Sequence, residues 1–180
     1  MKKNVTQKLI GSHLVEGTMR SGEEIGLKID QTLTQDATGT LVMLELEAMK
    51  ISRVRTELSA QYVDHNLLQV DFKNADDHLF LRSACHKFGL WYSGPGNGIS
   101  HVVHMERFGI PGKTLLGSDS HTPAAGSLGM LKLGVSVQIL TKCKGMEMLE
   151  RWLGVCESNT AGRFITSWRG GTGARQYFRR

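Results

Sequence analysis

A chain of 180 residues with 40% hydrophobic content can build one domain around a real core and is too short for a multidomain enzyme. Charged residues at 22% and aromatics at 7% are those of an ordinary soluble globule. No apolar run approaches the roughly 18 residues of a membrane span, and the charges of Met1–Lys8 are followed by no signal-peptide core, so a cytoplasmic protein without membrane contact is expected.

The net charge of +5 suggests at first a polyanionic partner, but the charge is unevenly placed. Residues 1–131 hold 13 Lys/Arg and 14 Asp/Glu, a net of −1, whereas residues 132–180 hold 9 and 3, a net of +6. All 7 His fall at or before His121. Two pieces of different composition meet near Leu131.

In chain order, Val5, Leu9, Ile10 and Leu14 are spaced as on a helix from Asn4 to Val15, with Asn4 as cap. Ile25, Leu27 and Ile29 alternate as in a strand over Glu24–Asp30. The polar stretch Asp30–Thr40 follows, and then a helix over Leu41–Ala48. Leu58–Val63 reads as a strand, Ala75–Phe88 as a helix and Leu90–Tyr92 as a strand running into the Gly-rich loop 93–98. Ser100–Phe108 reads as a helix, Thr114–Leu116 as a buried strand and Gly126–Leu133 as a helix. Beyond it, Val135–Leu140 has strand character and Lys142–Trp152 helix character, and disorder is expected over 167–180. Alternation of strand and helix argues for a three-layer α/β/α domain with a mainly parallel sheet, followed by a poorly structured basic tail.

Parallel sheets bind ligands at the carboxyl ends of their strands. Gln35-Asp36, Asp64-His65, the loop before His101, and Asp119-Ser120-His121 each follow a predicted strand. Asp64-His65 puts a carboxylate beside an imidazole that titrates near neutrality, although a polar turn would look the same. His101 and His104 share a helix face, with His101 at the helix start, where N–H groups favour an anion, and His104 placed on the surface face. Ser120 and His121, as neighbours in extended chain, point apart and do not suggest a hydrolase couple. No P-loop lysine and no dinucleotide fingerprint is present, which disfavours nucleotides. Cys85, Cys143 and Cys156 are widely spaced, without the C-x-x-C pairs of a metal site. These residues alone describe a site for a small, polar, anionic ligand and do not name the reaction.

Longer strings carry more. Gln31–Gly39, Tyr62-Val63-Asp64-His65-Asn66 and Gly117–Pro123, joined by Asp71–His78, Ser93–Ile99 and Glu106–Lys113, resemble the N-terminal domain of the aconitase and isopropylmalate dehydratase family over about residues 1–131, with a bacterial aconitate hydratase type most similar. The resemblance implies dehydration and rehydration between citrate and isocitrate through cis-aconitate, on a 4Fe–4S cluster held by three cysteines, whose fourth iron binds substrate as a Lewis acid. It implies that Gln35 bonds a substrate carboxylate and that His65, oriented by Asp64, helps the hydroxyl leave as water. It also implies that His101 pairs with Asp119, that Ser120 contacts a carboxylate and that His121 completes the polar wall. A homoaconitase or a 3-isopropylmalate dehydratase large subunit shares these strings. A non-catalytic module with a nucleic-acid-binding tail is the competitor from another class.

Departures bear equally on function. The family's cluster cysteines lie in Ser-Cys-Thr-Asn and Gly-Pro-Cys-Ile-Gly segments, and neither is present; its serine base, on a C-terminal domain, is also missing. This chain alone is therefore expected neither to assemble the cluster nor to turn over substrate, and it needs the remainder of the enzyme as partner. After Leu131 the family's small apolar residues give way to Lys132-Leu133-Gly134-Val135-Ser136 and the likeness fades. A tail translated out of frame would account for both this change and the charge step; a genuine divergent tail is the alternative. Translating the gene in the two other frames past the Leu131 codon is then expected to give an Ala/Gly-rich helix followed by cluster cysteines; neither frame doing so would reject the idea.

Overall fold

The computed structural model describes residues 3–20, 23–146, 148–156 and 165–167. Its frame is a five-stranded sheet in the order β5 (Trp91–Ser93), β4 (Leu58–Tyr62), β3 (Gln31–Gln35), β6 (Thr114–Gly117) and β7 (Leu131–Gly134). Every neighbouring pair is parallel. Parallel strands need crossovers, and the crossovers cover both faces. Helices α2 (Asp36–Ala48), α3 (Phe72–Phe88) and α5 (Val137–Met146) pack one face through Val42, Met43, Leu46, Leu81, Phe88 and Leu140. On the other face Leu33, Tyr62, Leu115 and Met130 meet Val103 of α4 (Ser100–Phe108). This is the three-layer α/β/α arrangement that the strand–helix alternation implies.

The chain lays down β3, β4 and β5 toward one edge and β6 and β7 toward the other. The order therefore reverses between β3 and β6, and their carboxyl ends open a crevice at the switch point.

Beside this domain core lies an antiparallel sheet in the order β1 (Leu14–Glu16), β2 (Glu24–Lys28), β8 (Met148–Cys156) and β9 (Ile165–Ser167). Helix α1 (Val5–His13) precedes it, closed by a capping box between Asn4 and Gln7.

Five element expectations are corrected. The polar stretch 30–40 contains the central strand: β3 is Gln31-Thr32-Leu33-Thr34-Gln35, buried throughout, and α2 begins at Asp36 rather than Leu41. Helix α3 starts at Phe72, because the Asp71 side chain accepts from Lys73 N at 2.9 Å. The helix expected over 126–133 is a 3₁₀ turn, Thr122–Leu128, followed by β7. Gly129, at a left-handed φ of 72°, separates the two, and Leu131 N then bonds Lys113 O at 3.0 Å. Val135–Leu140 has strand propensity, yet Val137–Met146 is helical because Leu140 and Cys143, three apart, both enter the core against α2. The helix expected over 142–152 is the end of α5 followed by β8. The disorder expected over 167–180 falls, apart from Ser167 in β9, outside the described residues.

Gly39 lets α2 lie close on β4, since a Cβ there would fall on the Gln61 amide. Gly39→Ala sets a helix-propensity gain of about 1 kcal/mol against overpacking of about 1–3 kcal/mol. A lower urea midpoint is expected, and a higher one would show that the contact does not constrain α2.

Candidate functional site

Four segments bring polar side chains to the carboxyl edge of the sheet. Gln35 ends β3 and caps α2: its Oε1 accepts from Ala37 N at 2.6 Å, while its Nε2 approaches Asp119 Oδ2 at 3.5 Å across the switch point. Thr38 and Ser118 hydroxyls bond at 2.6 Å over the same gap. Gln35 is thus buried and already engaged on both amide atoms.

Beyond β4, Asp64 uses both carboxylate oxygens. Oδ1 accepts from His65 Nδ1 at 2.8 Å, and Oδ2 accepts from Ser100 N, the first N–H of α4, at 2.6 Å. The anion at the start of α4 is therefore the protein's own carboxylate. A carboxylate can only accept, so His65 carries its proton on Nδ1 and turns Nε2 outward from a half-exposed ring.

His101, in the first turn of α4, donates from Nε2 to Asp119 Oδ1 at 2.8 Å; its Nδ1 is buried without a partner among the described residues. Asp119 Oδ1 also accepts from His121 N at 2.7 Å. Burial works against the Asp119 charge, but the His101 and His121 hydrogen bonds outweigh it and hold the carboxyl below the usual carboxylate range. His101 and His121 rings lie 6.4 Å apart, centre to centre. Ser120 and His121 are exposed, and Ser120 Oγ comes within 3.4 Å of His121 Nδ1. The expectation that these neighbours diverge is corrected: residues 118–121 bend and turn instead of running extended.

His104 is corrected more sharply. It is fully buried beneath α4, not on a surface face. Gln31 Nε2 donates to Phe108 O at 2.9 Å, which fixes Gln31 Oε1 as the acceptor of His104 Nε2–H at 3.0 Å. His104 Nδ1 then accepts from Tyr62 O–H at 2.9 Å. Burial, reinforced by Lys132, pushes the imidazole down to about 3, so it is neutral. Residue type and helical spacing gave no sign of this line, because its partners lie 42 and 73 residues away. Also unforeseen were His78, buried on α3, and the role of Asp36, whose carboxylate faces the 64–66 segment.

Cys85 and Cys143, the cysteines whose side chains the structure describes, do not fit an iron–sulfur ligand set. Cys85 and Cys143 sit buried on α3 and α5, on the helix face away from α4, and burial pushes both thiols up to about 12, so neither is a thiolate. Ligand atoms of Asp36, Asp64 and His65 lie within 4.8 Å of one another. Asp36 Oδ1, however, already accepts from two backbone N–H groups, which fills its lone pairs, so the trio is a hydrogen-bonded array.

The profile of the Aconitase family (aconitate hydratase) matches residues 7–142. The mitochondrial aconitate hydratase of Candida albicans is 34% identical over 143 residues, covering 72% of this chain and 18% of that protein. Homocitrate dehydratase of Saccharomyces cerevisiae is 29% identical over 73% of this chain and 19% of its own length. The 3-isopropylmalate dehydratase large subunit of Aquifex aeolicus is 32% identical over 88% of this chain and 37% of its own. This chain thus spans less than a fifth of the aconitate hydratases it matches and under two fifths of the isopropylmalate dehydratase subunit.

The neutral His104 makes stability depend on pH in one direction. In the unfolded chain its imidazole takes up a proton near 6.5, and in the fold only near 3. Stability from this group is full above the upper value and falls as pH drops between the two, by at most about 1.4 kcal/mol per pH unit. His104→Gln removes the titrating group. Its urea midpoint is expected to fall less than the wild type's between mildly alkaline and mildly acidic buffer; parallel falls would show that His104 titrates normally in the fold.

Proposed function

Since the chain belongs to the aconitase family, we propose that it supplies the hydroxyl-handling, carboxylate-binding face of a hydro-lyase of aconitate hydratase type, acting on a tricarboxylate. The observation that carries this is the convergence of Gln35, Asp64-His65, His101-Asp119 and Ser120-His121 at the carboxyl edge of one parallel sheet.

Water leaves a substrate carbon readily only when the hydroxyl is protonated or bound to a metal. His65 is placed for the first of these. In its protonated form Nε2 faces outward with a proton to give to the departing oxygen, while Asp64 holds Nδ1. The exposed Ser120 hydroxyl and His121 ring, with the second N–H of Gln35 Nε2, offer donors to carboxylates. Asp119 keeps the His101 ring in place. The proton lost from the neighbouring carbon requires a base, and the site gives none that role. No step is assigned to an iron–sulfur cluster, since the described cysteines do not fit one. The longer match to the isopropylmalate dehydratase subunit favours a second reading, with a smaller dicarboxylate of the isopropylmalate type as substrate.

Titration of ¹⁵N-labelled chain with citrate is expected to move the signals of Gln35, His65, His101, Ser120 and His121, and 3-isopropylmalate to move them less. Ser120→Ala should weaken citrate about tenfold, one hydrogen bond to a charged group. The same chain should not hydrate cis-aconitate. Shifts confined to other residues, or turnover by this chain, would overturn the proposal.

A further inference from the structure

Asp36 is the first residue of α2, and its side chain is 1% exposed. It accepts three consecutive backbone N–H groups: Asp64 N at 3.1 Å and His65 N at 3.0 Å on Oδ1, and Asn66 N at 2.7 Å on Oδ2. Burial opposes the charge, but these N–H groups outweigh it, so the carboxyl stays below the usual carboxylate range and is ionised near neutrality. Three such bonds on one buried anion restrain the backbone of the 64–66 segment.

Two further contacts reach the imidazole chemistry. Asp36 Oδ1 lies 3.8 Å from His65 Nδ1, on the ring nitrogen that already donates to Asp64 at 2.8 Å. The imidazole therefore meets two carboxylates on Nδ1 and, among the described residues, none on Nε2. Behind Asp36, the buried His78 accepts from Gln69 Nε2 on its Nδ1 at 2.9 Å, which puts its own proton on Nε2. That N–H has no hydrogen-bond partner among the described residues and points toward Asp36 Oδ2 at 4.0 Å. Loop 64–69, α2 and α3 thus meet on one carboxylate.

We propose that Asp36, backed by His78, is a positioning residue that fixes His65 in the Nδ1–H tautomer and aims its Nε2 at the substrate hydroxyl. The inference rests on His65 being the proton-handling residue proposed above, and it adds a second carboxylate and a second histidine to the pair that holds it.

The test is ¹⁵N NMR of the imidazole nitrogens and amide exchange of the full chain at mildly alkaline pH, with no ligand. Wild type is expected to show His65 as Nδ1–H. Asp36→Asn keeps the size and loses the charge; it should reduce the tautomer preference about tenfold and speed Asn66 amide exchange about tenfold while the sheet amides stay protected. His78→Gln should move both in the same direction by a smaller factor, and it serves alone if Asp36→Asn does not fold. Unchanged tautomer and exchange in the folded variant would overturn the proposal. Because no ligand enters the measurement, failure of citrate to bind would sink the function proposed above and leave this result intact.

Discussion

A parallel sheet has to be covered on both faces, and here its central strand is Gln-Thr-Leu-Thr-Gln, four polar residues of five, all buried. Each must find a partner inside the protein or cost the fold the loss of its water. The two faces solve this differently. Toward α5, Thr32 joins Ser59 at 2.5 Å and receives the Lys144 ammonium at 2.9 Å. Lys144 is itself fully buried, and that burial lowers it to about 7. Toward α4, Gln31 takes up His104, and at the strand's end Gln35 closes α2 and reaches toward Asp119. The interior polar bonds of β3 therefore determine where three helices sit, and the crevice beside it inherits its shape from them.

The same requirement explains which parts of the molecule were legible beforehand. The strands β4 and β6 and the helix α4 emerge where the sequence places them. So does the clustering of polar groups at strand ends, which needs only chain order and the rule for parallel sheets. β3 was illegible because its threonines and glutamines look like loop until their partners are known, and those partners are contributed by Ser59, Lys144 and His104, far off in sequence. The strand assigned before Gln35 was β2, which belongs to the other sheet.

Histidines show the limit most plainly. His65 and His101 both sit beside carboxylates, one adjacent in sequence and one 18 residues away, and it is the family resemblance of the longer strings that marks both pairs. His104 is three residues from His101 on one helix, and neither spacing nor residue type distinguishes a ring at the crevice from a ring in the core. Depth decides it: the first turn of α4 emerges at the sheet's edge, and the second lies over Tyr62 and Leu115.

The line from Tyr62 through His104 and Gln31 to Phe108 also has a direction. The tyrosine gives its proton, the imidazole passes one on, the amide oxygen can only receive, and the amide nitrogen finishes on a carbonyl. Reversing any link would set two donors or two acceptors face to face. A helix behaves as a screw: advancing α4 by one residue would rotate it by about 100° and pull His104 out of the slot where both ring nitrogens are satisfied. The buried line therefore acts as a thread lock, and the height and heading of His101, one turn above it, are set from underneath before any ligand arrives.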